Sequence, residues 1–203
     1  MSIKVDHKAR KSEIVEKSIK LFARVGYHAV NYQYIADNCG VARTVLYRYF
    51  KNKRQIFDAA IAVTVNEIGM RYRRMLRSNA SADERLRRIC GTVTTTLFEK
   101  RDFLVVILEY IIEKIRVGYK MGRHIERYTI GVKRIMLDLI LEAKASGMYS
   151  PNLDPRAAMR ILYSLFESTS IRLMVGNAVL PDCLEAIDVC IDSFKIPDPE
   201  SVS

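Results

Sequence analysis

Residues 40–53 read GVARTVLYRYFKNK. On a helix starting near residue 42, Leu46 and Phe50 fall at i and i+4 and turn inward, which leaves Arg43, Thr44, Tyr47 and Arg48 on the outer side. The chemistry open to such a face is recognition of a polyanion. A guanidinium forks onto the acceptor edge of guanine in a major groove, phenol hydroxyls reach phosphate oxygens, and lysine pairs with phosphate as a point charge. A plain surface helix seldom exposes two tyrosines.

Other chemistries lack their residues. The sequence contains no HExxH, P-loop, nucleophile elbow or dinucleotide fingerprint. Glu109 and Glu113 share a polar stripe with Arg116 and read as salt-bridged surface groups, and His124 reads as a surface histidine. Cys39, Cys90, Cys183 and Cys190 form no CxxC; on a helix the last two would lie two turns, about 10 Å, apart, too far to bridge. They are expected to be reduced thiols. The expectation is a protein that is not an enzyme, with no catalytic residue, metal or cofactor.

The elements that position the outer face follow from the rest of the chain. Its 203 residues suffice for one substantial domain or a small module joined to a larger one, and 49% hydrophobic with 28% charged residues is an ordinary globular balance. No apolar run approaches the roughly 20 residues that span a bilayer, and MSIKVDHKARKSE lacks the apolar core of a signal peptide, so a cytoplasmic location without a membrane partner is expected. The net charge of +10 is uneven: residues 1–60 hold 12 Lys/Arg against 5 Asp/Glu, and residues 61–203 hold 21 against 18. The excess sits in the first third, where a polyanion would be met.

Helical periodicity runs nearly throughout and proline is absent before Pro151, so the class is all-α. Residues 10–25 carry Ile14, Ser18, Leu21, Phe22 and Val25 on one face and end at Gly26. Asn31 is a good N-cap for a short second helix, YQYIADN, which Gly40 closes. The third helix is the opening stretch, packed by Leu46 and Phe50 against Ile35, Ala36, Leu21 and Phe22, and a fourth follows an Asn52 cap on Gln55, from about residue 53 to 76. A two-turn helix held by a short glycine-containing turn against its predecessor is the helix-turn-helix design.

Residues 10–61 closely resemble the DNA-binding domain of the TetR (tetracycline repressor) family of bacterial transcriptional regulators. The resemblance is carried by LFARVGY at the end of the first helix, IA in the second, the GV turn, LYRYF in the third and KNK opening the fourth. It implies base-reading roles for Gln33, Arg43 and Thr44 and phosphate contacts for Tyr32, Tyr47, Tyr49 and Lys53, all on a double-stranded operator. Arg48 is outside the family pattern, but its charge and exposure fit a backbone or base contact. Ala42 stands where the family commonly has Ser, which removes an N-cap worth about 1 kcal/mol. Val45 stands where Thr is common, and can touch a thymine methyl instead.

The resemblance divides the chain into a DNA-binding domain, residues 1–52, and an effector-binding and dimerisation domain, residues 53–203, about nine helices in all. After a break at residues 78–82, helices are expected over 82–100, 102–117, 120–146, 154–175 and 181–195. The second of these is apolar on most sides and is expected at the domain centre. The family's middle helices enclose a pocket for an inducing small molecule, and Thr94, Phe98, Phe103, Ile107, Tyr110, Tyr128, Met136, Tyr163 and Phe166 are the candidate lining, suited to a hydrophobic effector.

The last helix carries two apolar rows, Leu184, Ile187, Ile191 and Phe194, and Cys183, Ala186 and Cys190, so it calls for a second covering surface. Ile161, Leu165 and Phe166 can supply part of it, and the resemblance implies a homodimer through a four-helix bundle. The implied function is a repressor released from a near-palindromic operator by its effector. The alternative is a DNA-bound scaffold of the same fold that recruits a protein and ignores small molecules.

Overall fold

The computed structural model describes residues 7–75, 79–119 and 122–196, without the side chains of residues 68, 69, 71–75, 122–125, 127 and 128. The described residues form nine helices and no strand: α1 His7–Ala29, α2 Tyr32–Cys39, α3 Arg43–Tyr49, α4 Lys53–Met75, α5 Ala82–Glu99, α6 Arg101–Arg116, α7 Gly122–Ala145, α8 Pro155–Met174 and α9 Leu180–Asp192. They make two compact units, Met1–Asn66 with Asp102–Gly122, and Glu67–Arg101 with Arg123–Ser203. The division falls inside α4 and leaves α6 with the N-terminal helices.

In the first unit the local signals act as the sequence reading expects. Gly26 takes φ 78° and ends the regular part of α1, whose Ile14, Val15, Ser18, Leu21 and Phe22 are buried. The buried Ser18 hydroxyl donates to Ile14 O at 2.7 Å, so its burial leaves no orphan. Asn31 Oδ1 accepts from Tyr34 N at 2.8 Å, and Gly40 closes α2 in the left-handed region at φ 66°, where a side chain would be strained. At the start of α4, Asn52 Oδ1 accepts from Gln55 N at 3.0 Å while Gln55 Oε1 accepts from Lys51 N at 2.8 Å. By contrast α3 begins bare, since Ala42 offers no side-chain cap.

A seven-residue helix without a cap depends on packing. Leu46 and Phe50 supply it, buried together with Ile35, Ala36, Leu21 and Phe22. Each buried Leu, Ile or Phe side chain among these contributes about 1.5–3 kcal/mol. Behind them Phe57 of α4 gathers an aromatic cluster, 5.1 Å from Phe22, 4.7 Å from Tyr27, 5.1 Å from Tyr110 and 5.8 Å from Phe103 between ring centroids. Phe103 and Tyr110 thereby bind α6 to the ends of α1 and α4. The expectation that α6 is buried on most sides is corrected: Glu109, Ile112 and Ile115 are exposed, because only the face bearing Phe103, Val106 and Tyr110 is covered.

In the second unit the central helix is α5. Leu86, Ile89, Cys90, Val93, Thr94 and Thr96 are all buried, and α7, α8 and α9 bring Met136, Ile140, Leu162, Phe166, Ile187 and Ile191 into the same core. Ser81 and Glu84 form a reciprocal capping box at the head of α5. Arg87 ties α5 to α9, reaching Asp83 at 2.9 Å, Asp188 at 2.9 Å and Asp192 at 2.6 Å, and the Tyr149 hydroxyl donates to Asp83 at 3.0 Å.

The rows expected on α9 divide differently. Ile187, Ile191 and Phe194 belong to the chain's own core, so they cannot serve as a second covering surface, and Leu184 is half-buried. Cys183 is buried as well, Cys190 is half-buried, and all four cysteines are free thiols. The apolar groups left uncovered are Ile161, Ile171 and Val175 along α8 and its end, and Val189 on α9.

Replacing Ala42 by Ser supplies the missing acceptor at the start of α3. Urea unfolding should show a gain of about 1 kcal/mol.

Candidate nucleic-acid interface

The short α2–α3 turn is closed by Gly40 N donating to Asp37 O at 3.1 Å and Val41 N donating to Ala36 O at 3.0 Å. It fixes the outer face of α3 beside the start of α2. Arg43, Thr44, Tyr47 and Arg48 are exposed there, as the spacing predicts. Arg43 does not swing freely: its Nη2 donates to the Tyr47 hydroxyl at 3.2 Å, and its guanidinium carbon lies 5.7 Å from the Tyr47 ring centre and 6.0 Å from that of Tyr32. Tyr32 and Tyr47 in turn stack at 4.5 Å and 29°. The guanidinium rests against two π faces that hold it in place while leaving its remaining N–H groups open.

The expected phosphate donors differ in what they have left to give. Tyr32 donates its one hydroxyl proton to Phe50 O at 2.6 Å, so in this geometry the proton expected for a phosphate serves the backbone instead. Burial, then the neighbouring Tyr47, pushes its phenol up to about 12, with Arg43 opposing. Tyr47 accepts from Arg43 and keeps its own proton for donation. The half-buried Tyr49 has its hydroxyl 3.1 Å from His7 Nδ1.

Lys53 donates to Tyr27 O at 2.8 Å with its ammonium 4.2 Å from the Tyr27 ring centre, which leaves two of its three protons for an anion. Burial lowers its ammonium below the usual lysine range, with Glu113 opposing the shift. Gln33 is exposed and donates to Asp37 Oδ1 at 2.7 Å, which leaves its carbonyl oxygen and one amide proton for a base edge.

Other groups here escaped the sequence reading. Lys17, Lys20, Arg24 and Asn38 line an open basic groove between α1 and α2, and Arg24 donates to the Tyr34 hydroxyl at 3.4 Å. The i, i+3, i+7 spacing of the three cations on α1 was a legible signal. The Tyr32 stack was not, since its two rings come from different helices. Glu113 meets His28 Nε2 and, at 3.4 Å, Lys114 Nζ, a different partner from the Arg116 the stripe suggested.

The nine effector candidates do not gather in one unit. Phe103, Ile107 and Tyr110 belong to the first, where Phe103 and Tyr110 serve the aromatic cluster around Phe57. Thr94, Met136 and Phe166 are buried in the second, with Phe98 and Tyr163 half-buried. Lys133 Nζ stands 4.1 Å from the Tyr163 ring centre. The side chain of Tyr128 and that of His124 lie outside the described residues. Among the described residues no cluster of His, Cys, Asp and Glu is placed to hold a metal, and no helix is long and apolar enough to cross a membrane.

Comparison with known proteins gives this geometry a context. The family model of bacterial regulatory proteins of the tetR family matches residues 14–60. The fatty acid metabolism regulator protein of Bacillus subtilis is 23% identical over 157 residues, 77% of this chain and 79% of its own. Among solved structures, the regulator FadR of Bacillus subtilis in complex with stearoyl-CoA superposes with a TM-score of 0.70 at 20% identity, covering 91% of this chain and 97% of that one. The ketosteroid transcriptional regulator KstR2 of Mycobacterium tuberculosis does so with a TM-score of 0.65 at 18% identity, covering 93% and 96%.

Two phenylalanine replacements separate the stacked tyrosines. Tyr32→Phe removes the bond to Phe50 O and should lower unfolding free energy by about 1 kcal/mol. Tyr47→Phe should leave it within about 0.5 kcal/mol, both read from urea titrations.

Proposed function

The chain belongs to the TetR family of bacterial transcriptional regulators, and on that ground we propose that it is a dimeric repressor, released from a near-palindromic operator by a hydrophobic small molecule. The observation that carries this reading is the guanidinium of Arg43, held against Tyr32 and Tyr47 on the exposed face of α3. In the proposed complex Arg43 forks onto a guanine edge, with Thr44 and Gln33 reading neighbouring bases. Tyr47, Tyr49, Arg48 and Lys53 hold phosphates and set the register. Residues 1–52 form the DNA-binding domain and residues 53–203 the effector and dimerisation domain, working in the cytoplasm.

Dimerisation uses the uncovered side of α8 and α9. Ile161, Leu165 and Ile171 recur along α8 with Val175 at its end, and Val189 stands exposed on α9. A twofold pairing of these faces makes an isologous four-helix interface and sets two copies of α3 about 35 Å apart, one turn of DNA.

The effector reading draws on the relatives: the stearoyl-CoA held in the FadR structure carries a long apolar acyl chain, and KstR2 is named as a ketosteroid regulator, a ketosteroid being an apolar ring system. A ligand that weakens operator binding tenfold must itself bind the DNA-bound form tenfold less well, a coupling of about 1.4 kcal/mol.

Fluorescence anisotropy on the DNA upstream of the chain's own gene, across a salt series, tests the reading. Wild type should bind tightly and selectively. Arg43→Ala should lose about 10- to 100-fold in affinity and relax selectivity at one base pair, while Lys53→Gln should weaken all duplexes alike and reduce the salt slope by about one. Equal weak binding to every duplex would sink the repressor assignment and favour the scaffold. Ile171→Glu should shift the protein from dimer to monomer in sedimentation and weaken operator binding at least about tenfold through lost bivalency.

A further inference from the structure

Three buried polar atoms among the described residues have no hydrogen-bond partner: Arg85 Nε, Glu113 Oε2 and Thr94 Oγ1. The first two sit on groups that are otherwise engaged, since Arg85 Nη2 contacts Glu142 and Glu113 Oε2 lies against His28 Nε2. Thr94 is different. It is fully buried at 0% exposure, and its only side-chain polar atom meets nothing.

Its neighbours on α5 show what a threonine there does when it serves the helix alone. Thr92 Oγ1 donates to Arg88 O at 2.8 Å, and Thr96 Oγ1 donates to Thr92 O at 2.7 Å. In both, the hydroxyl folds back on the carbonyl four residues earlier. Thr94, of the same type on the same helix, makes no such side-chain bond. Valine would fill the same volume without burying a hydroxyl, and the TVTTT run at residues 92–96 is a poor helix former that nevertheless puts Val93, Thr94 and Thr96 in the core. A buried donor kept off the backbone is suited to an acceptor that arrives from outside.

Resting on the effector reading above, we propose that Thr94 Oγ1 is the hydrogen-bond donor to a carbonyl oxygen of the effector, whose adjoining hydrocarbon part lies against α5. Cys90 and Phe98 stand one turn to either side of Thr94 on the same helix face, so Thr94 is the polar point of an apolar strip. A carbonyl matches because it accepts without bringing a proton of its own that would need a second buried partner. That chemistry occurs in an acyl thioester and in a ring ketone alike.

Calorimetric titration of the full chain with stearoyl-CoA and, separately, with cholest-4-en-3-one tests the assignment and distinguishes the two sources. Wild type should bind one of them. Thr94→Val should bind that probe about tenfold more weakly, and Thr94→Ser, which keeps the hydroxyl, should fall within about threefold of wild type. Ligand-free Thr94→Val should melt at or above the wild-type temperature, which shows the loss is not misfolding. Equal affinity of wild type and Thr94→Val overturns the proposal, as does a wild type that binds neither probe. A probe that binds through Thr94 yet fails to release operator DNA would uphold the site and overturn the repressor-effector reading instead.

Discussion

The constraint on which the rest of the first unit depends is the length of α3. Seven residues make two turns, and a helix of that length without a cap does not hold its shape in water. Its order comes from outside itself. Leu46 and Phe50 anchor it from beneath, the Tyr32 hydroxyl holds the Phe50 carbonyl at its end, and the Tyr32 ring stacks on Tyr47 at its outer side. Because the surface residues of α3 cannot be more ordered than the helix that carries them, the aim of Arg43 is a consequence of core packing. Two tyrosines that look equivalent in the sequence thus divide the labour, one holding the helix and one left with a proton to offer.

The same dependence extends one layer further. Phe57 underlies the α1 to α3 packing and also receives Phe103 and Tyr110, so α6 is attached to the helices that present the nucleic-acid face. Glu113 and Lys114 of α6 stand beside His28 and Tyr110, and Glu113 acts electrostatically on Lys53, the residue whose ammonium also holds the Tyr27 carbonyl. A phosphate-binding candidate is therefore wired to α6 by packing and by charge. In the second unit the ties are of another kind: an apolar core around α5, closed at one edge by Arg87 and its three aspartates. Those pairs are partly open to water, so they fix the register of α9 on α5 more than they add stability.

Much was legible from residues alone, and the reason is range. The Asn31 and Asn52 caps, the Gly26 and Gly40 stops, and the inward pair Leu46 and Phe50 all follow from interactions within four or five positions, and the structure shows each of them. Helix bounds agree closely with the sequence reading for the same reason. The misjudged residues lie where a helix has more than one apolar side. For α6 and α9 the pattern shows that both sides need covering, and it does not say by what. The α6 aromatics went to Phe57 and Tyr27, and the α9 row of Ile187, Ile191 and Phe194 went to the chain's own core.

By itself, then, the amino-acid sequence determined the helical class, the boundaries of the elements, the basic N-terminal third and the outward residues of α3. Each of these is encoded in periodicity, capping and local charge, which neighbours along the chain decide. Only the tertiary structure decided that Tyr32 gives its proton to Phe50, that Lys53 leans on Tyr27, that α5 is the central helix of the second unit while α6 goes with the first, and that the buried Thr94 hydroxyl is left without a partner. Those outcomes turn on which distant side chain fills a given space or meets a given hydrogen, and no periodicity within a single helix carries that information.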